Sequence, residues 1–161
     1  MSNLKFSLLA CAFMFMIAFV APKEIGYRKL NWRDFKGKPD SRGVALSYTQ
    51  INFEANFSDG KYYFVVYSQF LPYKSFTTTA KEKILRHEQL HFDITELMVR
   101  KMRRLLVGVN DQKESNNIYT QVIKEWGEMQ RQYDWETNNS INQEQQAKWE
   151  IKISNSLNNY N

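Results

Sequence analysis

From Ala80 to Leu106 the chain runs without a glycine or a proline, and near the middle of that run lie its only histidines, His87 and His91. A stretch of this length with no residue that breaks a helix is expected to form one long helix. His87-Glu88-Gln89-Leu90-His91 fits the pattern H-E-x-x-H, whose spacing has a geometric meaning. Residues four apart project from the same helix face one turn apart, so two imidazoles can converge on a single Zn²⁺ at about 2.0–2.1 Å. Glu88 is turned about 100° from His87, which lets its carboxylate reach a water beside the metal rather than the metal itself. That is the position of a general base. Two histidines placed at random would give this pattern roughly once in a thousand sequences, so the pair reads as a metal site and not as two ordinary helix histidines.

Ahead of the helix the pattern changes. Tyr27 to Trp32 reads as a short strand, and Gly37 to Gly43 is dense in turn formers. Val44 to Phe53 alternates apolar and polar residues, and Tyr62 to Phe70 is rich in aromatic and β-branched ones. Ser58-Asp59-Gly60 between them is a tight-turn signal, so an antiparallel hairpin is expected, with Tyr62 to Tyr67 as a core strand under the long helix. Thr77-Thr78-Thr79 supplies candidate N-caps. A polar break from Gly108 to Asn117 precedes a second helical pattern through Ile118, Val122, Trp126, Met129 and Tyr133. A third runs from about Ile141 through Trp149, Ile153 and Leu157. Strands first and helices second make an α+β domain: a hairpin or small sheet packed on the long helix, followed by two further helices.

Residues 1–21 read as a separate segment. Lys5 is followed by a stretch, Phe6 to Ala21, that is free of charge and interrupted only by Ser7, the pattern of a secretory signal. As a helix it would span roughly 24 Å, short of a hydrocarbon core of about 30 Å. Export to the periplasm or beyond is therefore expected, with anchoring through residues 6–21 as the alternative. Residues 22–161 then form one domain. The single cysteine, Cys11, lies in this segment, so neither a disulfide nor a cysteine zinc site is available and any metal must use other ligands. The net charge of +5 is a solubility feature, and no nucleic-acid partner is expected.

The residues around the motif carry a resemblance. Asn31 to Asp40, Ser41 to Leu46, His87 to Ile94, and Tyr133-Asp134-Trp135-Glu136-Thr137 with Gln146 and Trp149 resemble a bacterial family of predicted secreted zinc-dependent proteases, catalogued as a domain of unknown function. The likeness covers most of the chain after the signal segment. It implies a zincin-like fold, Zn²⁺ as cofactor, His87 and His91 as ligands, Glu88 as base, and a peptide or protein as substrate. One departure stands out. In the family pattern Tyr-Asp is followed by a Thr, one variable residue and a His that serves as third ligand, and that slot here holds Asn139. An amide oxygen is a poor zinc ligand, so either Asn139 binds weakly, Glu136 or Asp134 substitutes, or the site is degenerate. The last case would leave a non-catalytic envelope binding or scaffold protein. Asp93 is a candidate hydrogen-bond partner for a ligand histidine, because metal-bound imidazoles commonly donate their free N–H to a carboxylate or carbonyl.

Overall fold

The computed structural model describes residues 24–160; the expected signal segment lies outside them. Five strands precede three helices: β1 (Ile25–Gly26), β2 (Ala45–Leu46), β3 (Thr49–Ser58), β4 (Lys61–Phe70), β5 (Phe76–Thr77), then α1 (Glu82–Leu105), α2 (Gln112–Thr137) and α3 (Gln143–Asn158). This is an α+β fold of antiparallel sheets followed by helices. β1, β4 and β3 form one sheet in that order, and β2 pairs with β5 in a second. The hairpin closes between Ser58 and Lys61, with Asp59 and Gly60 both at positive φ, as a two-residue loop with the right-handed strand twist requires.

Helix α1 is the centre of the molecule, with 12 of its 24 residues buried. It packs on β3 and β4 through one side and on α2 and α3 through the other. Leu90, Ile94, Met98 and Met102 join Ile51 and Val66 of the hairpin to Val122, Tyr133, Trp149 and Ile153 of the later helices in one apolar core. A smaller cluster of Ile25, Leu30, Phe35, Phe70 and Phe92 fastens the N-terminal loop to the same helix. Among the described residues no helix is long and apolar enough to cross a membrane.

Five local expectations are corrected. Tyr27 to Trp32 is not a strand but a loop that ends in a short 3-10 turn at Trp32–Asp34, because Asn31 caps that turn and Arg28 forks onto the Asp34 carboxylate at 2.7 and 2.9 Å. Val44 to Phe53 is interrupted at Ser47 and Tyr48, whose N–H groups donate to the Glu88 carboxylate and to Ser75 Oγ instead of to a neighbouring strand. The threonines do not cap α1: Thr77 is in β5, and the N-cap is Lys81, with no side-chain cap. Helix α2 starts well before Asn117, because Asp111 accepts from the Glu114 N–H at 2.7 Å and provides the N-cap that the polar composition concealed. The strand expected under the long helix is in part open to water as well: Val66 is buried, but Tyr63 and Val65 face outward and Phe64 stacks with Phe53 beside Tyr119 of α2.

The loop before β2 is docked on the turn after β4 by two backbone bonds, Lys36 N–H to Pro72 O at 2.9 Å and Gly37 N–H to Ser75 O at 2.7 Å. A β-carbon on Gly37 would stand 2.8 Å from Ser75 O and 2.9 Å from Tyr73 O, both backbone atoms that cannot swing away. Gly37→Ala is therefore expected to destabilise the protein by about 1–3 kcal/mol, as overpacking does. Thermal unfolding of the two proteins checks it.

Candidate metal centre

His87 and His91 occupy successive turns of α1, and both are shielded from water by α2 and α3. The Tyr133 ring stacks on His87 with centroids 4.7 Å apart and meets His91 edge-on at 4.9 Å. The two Nε2 atoms lie 3.3 Å apart, and Asp134 Oδ1 lies 3.3 Å from that of His87 and 3.0 Å from that of His91. Three donors placed at about 2.05 Å around a tetrahedral zinc would be separated by about 3.3 Å. The triangle has the size of one face of such a site.

The opposite edges of the two rings determine what these nitrogens offer. Gln130 Nε2 donates to the carbonyl of His91 at 2.9 Å, so its Oε1 is the atom that faces His91 Nδ1. Gln146 Nε2 donates to the Glu150 carboxylate at 3.1 Å, which turns its Oε1 toward His87 Nδ1 at 3.2 Å and toward the Tyr133 hydroxyl at 2.7 Å. An amide oxygen only accepts, so both Nδ1 atoms must carry hydrogen. In the neutral imidazoles the Nε2 lone pairs then point at Asp134 Oδ1, and three electron-rich atoms face one another with no proton to share. A cation between them resolves the repulsion, and the donor set of two imidazoles and one carboxylate suits zinc. A proton on Nε2 is the other way to relieve it: burial by itself would raise the Asp134 carboxyl, but hydrogen bonds from His87 and His91, donated once their rings are protonated, outweigh it and hold the group well below the usual carboxylate range. For His91, burial would lower the imidazole, and in the protonated ring the bond to Asp134 and its charge raise it above its ordinary value.

Glu88 is buried beside the pair. Its Oε2 accepts from the Ser47 N–H at 2.6 Å while Ser47 Oγ donates to its backbone carbonyl at 3.2 Å, so the break between β2 and β3 clamps the residue at both ends. Glu88, His87, His91 and Asp134 all line one cavity of about 660 Å³, whose far wall is the strand segment around Val44 to Gln50.

The three candidates for third donor are placed differently. Asp134, in the last turn of α2, reaches both imidazoles. Glu136 faces the other way and accepts from Trp149 Nε1 at 2.7 Å. Asn139 lines the cavity from a turn in which Asn138, Asn139 and Ser140 all adopt positive φ, a conformation that asparagine tolerates better than most residues. This turn reverses the chain so that α3 returns along α1 and carries Gln146 to His87. Asp93 takes its bonds from Tyr27 and Gln89, at 3.1 and 2.7 Å, and neither histidine uses it. The imidazole partners are instead Gln130 and Gln146, which sequence reasoning did not assign. Their signal was periodic: Gln130 stands four before Asp134 on α2, and Gln146 three before Trp149 on α3.

A family model described as a bacterial protein of unknown function, DUF922, matches residues 74–142. The matched span holds all of α1 and α2, and with them His87, Glu88, His91 and Asp134. No curated protein and no solved structure is significantly similar to the chain.

The roles of the glutamines are measurable. Gln130→Leu and Gln146→Leu are each expected to weaken zinc binding about 10–100-fold, the usual cost of losing the group that orients a ligand histidine. Asp93→Asn should change it less than about twofold. Competition with a chromophoric chelator, with circular dichroism as the check on folding, reads all three.

Proposed function

We propose that the protein is an exported zinc-dependent peptidase. The observation that carries this reading is the convergence of His87 Nε2, His91 Nε2 and Asp134 Oδ1 on one point, at the size of a zinc site and in the cavity that also holds the Glu88 carboxylate. His87, His91 and Asp134 would hold the ion. When bound there, zinc supplies Lewis acidity that makes a water nucleophilic near neutral pH and polarises a carbonyl oxygen. Glu88 takes the proton from the attacking water and passes it to the leaving amine, and the Ser47 N–H keeps its carboxylate aimed into the cavity. The polypeptide lies along the wall from Val44 to Gln50, formed by β2, which has a single partner strand, and by the start of β3, the outer strand of its sheet. Export rests on the apolar segment from Phe6 to Ala21.

The reading as a scaffold with a degenerate site drew its support from Asn139. The presence of a carboxylate, Asp134, within 3.3 Å of both imidazoles removes the need for a ligand at that position.

Two variants separate holding the metal from using it. Asp134→Ala is expected to lower zinc affinity by more than about 100-fold. Glu88→Gln should still bind one zinc per chain and lose about 10²–10⁴-fold in peptide hydrolysis. Zinc analysis and cleavage of a mixed peptide library, each measured on both variants and the parent, test the assignment. A wild type that binds zinc yet hydrolyses no peptide would overturn it.

A further inference from the structure

Beside the metal cavity lies a second pocket of about 530 Å³, lined by Lys36, Lys38, Lys74, Arg42, Tyr48 and Tyr73. The two cavities share a wall, since Arg42 and Tyr48 line both. No acidic residue lines the second pocket. Arg42 is already neutralised by the Asp40 carboxylate, at 2.6–3.1 Å. Lys36, Lys38 and Lys74 are exposed, and among the described residues none of them enters a salt bridge. The Lys74 ammonium sits 5.0 Å from the centre of the Tyr48 ring.

These charges are gathered by the fold and do not merely happen to be near one another in sequence. The two backbone bonds from Lys36 and Gly37 to the turn at Pro72 and Ser75 bring Lys36 and Lys38 to one pocket with Lys74. Like charges held together repel, and an anion between them relieves that repulsion. The cationic end of α1 is different: Arg103 donates to the Val66 carbonyl, Arg100 is engaged by Glu96 and the Leu157 carbonyl, and Arg104 covers the Tyr160 ring.

We infer that the pocket of Lys36, Lys38 and Lys74 binds acidic side chains of the polypeptide substrate, so that the protein selects chains with an acidic run next to the bond held at the metal. This rests on the peptidase reading. The pocket adjoins the cleft at Arg42 and Tyr48, beside the segment where a substrate backbone lies, and Tyr48 and Tyr73 give the stems of glutamate or aspartate an apolar surface. Three unpaired lysines are too few for the roughly 6–10 phosphate contacts of a typical nucleic-acid interface.

The test is binding, read independently of catalysis. The full chain carrying Glu88→Gln, loaded with zinc, is titrated into a fluorescein-labelled peptide bearing a run of glutamates and into the same peptide with glutamines. The acidic peptide is expected to bind about tenfold tighter, a preference that shrinks as salt is raised. Adding Lys36→Gln, Lys38→Gln and Lys74→Gln should bring the ratio to about one, and circular dichroism verifies the fold of that variant. Equal binding of the two peptides, or a preference that survives the triple substitution, overturns the inference. So does tighter, lysine-dependent binding of a single-stranded oligonucleotide or of vesicles rich in phosphatidylglycerol. Cleavage by the parent protein distinguishes the two levels. Hydrolysis without acidic preference leaves the peptidase reading standing and removes this one, whereas acidic preference in binding without hydrolysis removes the peptidase reading and leaves only a pocket for acidic peptides.

Discussion

The orientation of two imidazole rings governs the rest of this structure. Gln130 and Gln146 each present an amide oxygen to an Nδ1, and each is locked in that sense because its amide nitrogen is spent on an acceptor-only partner, the His91 carbonyl or the Glu150 carboxylate. The hydrogens are thereby fixed on Nδ1, and the Nε2 lone pairs of His87 and His91 are aimed at the same point as Asp134 Oδ1. An arrangement of three acceptors about 3 Å apart is unfavourable by itself in a partly buried site. It is what a divalent cation requires.

Every major element of the fold contributes to that arrangement. The apolar faces of α1 hold it between the hairpin and the later helices, so the histidines are withdrawn from water. The left-handed turn at Asn138 to Ser140 ends α2 just after Asp134, with the Asn139 N–H bonded to the Asp134 carbonyl at 2.9 Å. Three successive non-glycine residues in that region cost free energy, and strain of this sort is commonly retained at functional sites. Here the strained turn brings α3, and so Gln146, back to His87. The break between β2 and β3 has a comparable effect on the other wall, since a continuous strand would have committed the Ser47 N–H elsewhere and left Glu88 without its donor.

Much of this was legible in the sequence because it rests on local rules. The long helix follows from a run free of Gly and Pro, the hairpin from Asp59-Gly60 between two alternating segments, and the fold class from strands preceding helices. The convergence of His87 and His91 with Glu88 nearby is a consequence of helix geometry alone. What was not legible depends on tertiary contacts. The third donor was one of three, Asn139, Glu136 or Asp134, because linear spacing does not say which side chain of a helix end turns inward. Asp93 looked like a partner for a histidine through its proximity in sequence, yet the rings turn their Nδ1 atoms toward α2 and α3. The interruption at Ser47 was hidden because its cause is Glu88, 41 residues away.

Zinc binding by His87, His91 and Asp134 together, as proposed, is read from the X-ray absorption spectrum of the zinc-loaded protein. The predicted spectrum has a four-coordinate shell of nitrogen and oxygen at about 2.0–2.1 Å, with the outer-shell scattering of two imidazole rings. A six-oxygen shell without imidazole scattering would mean that the two histidines do not hold the ion.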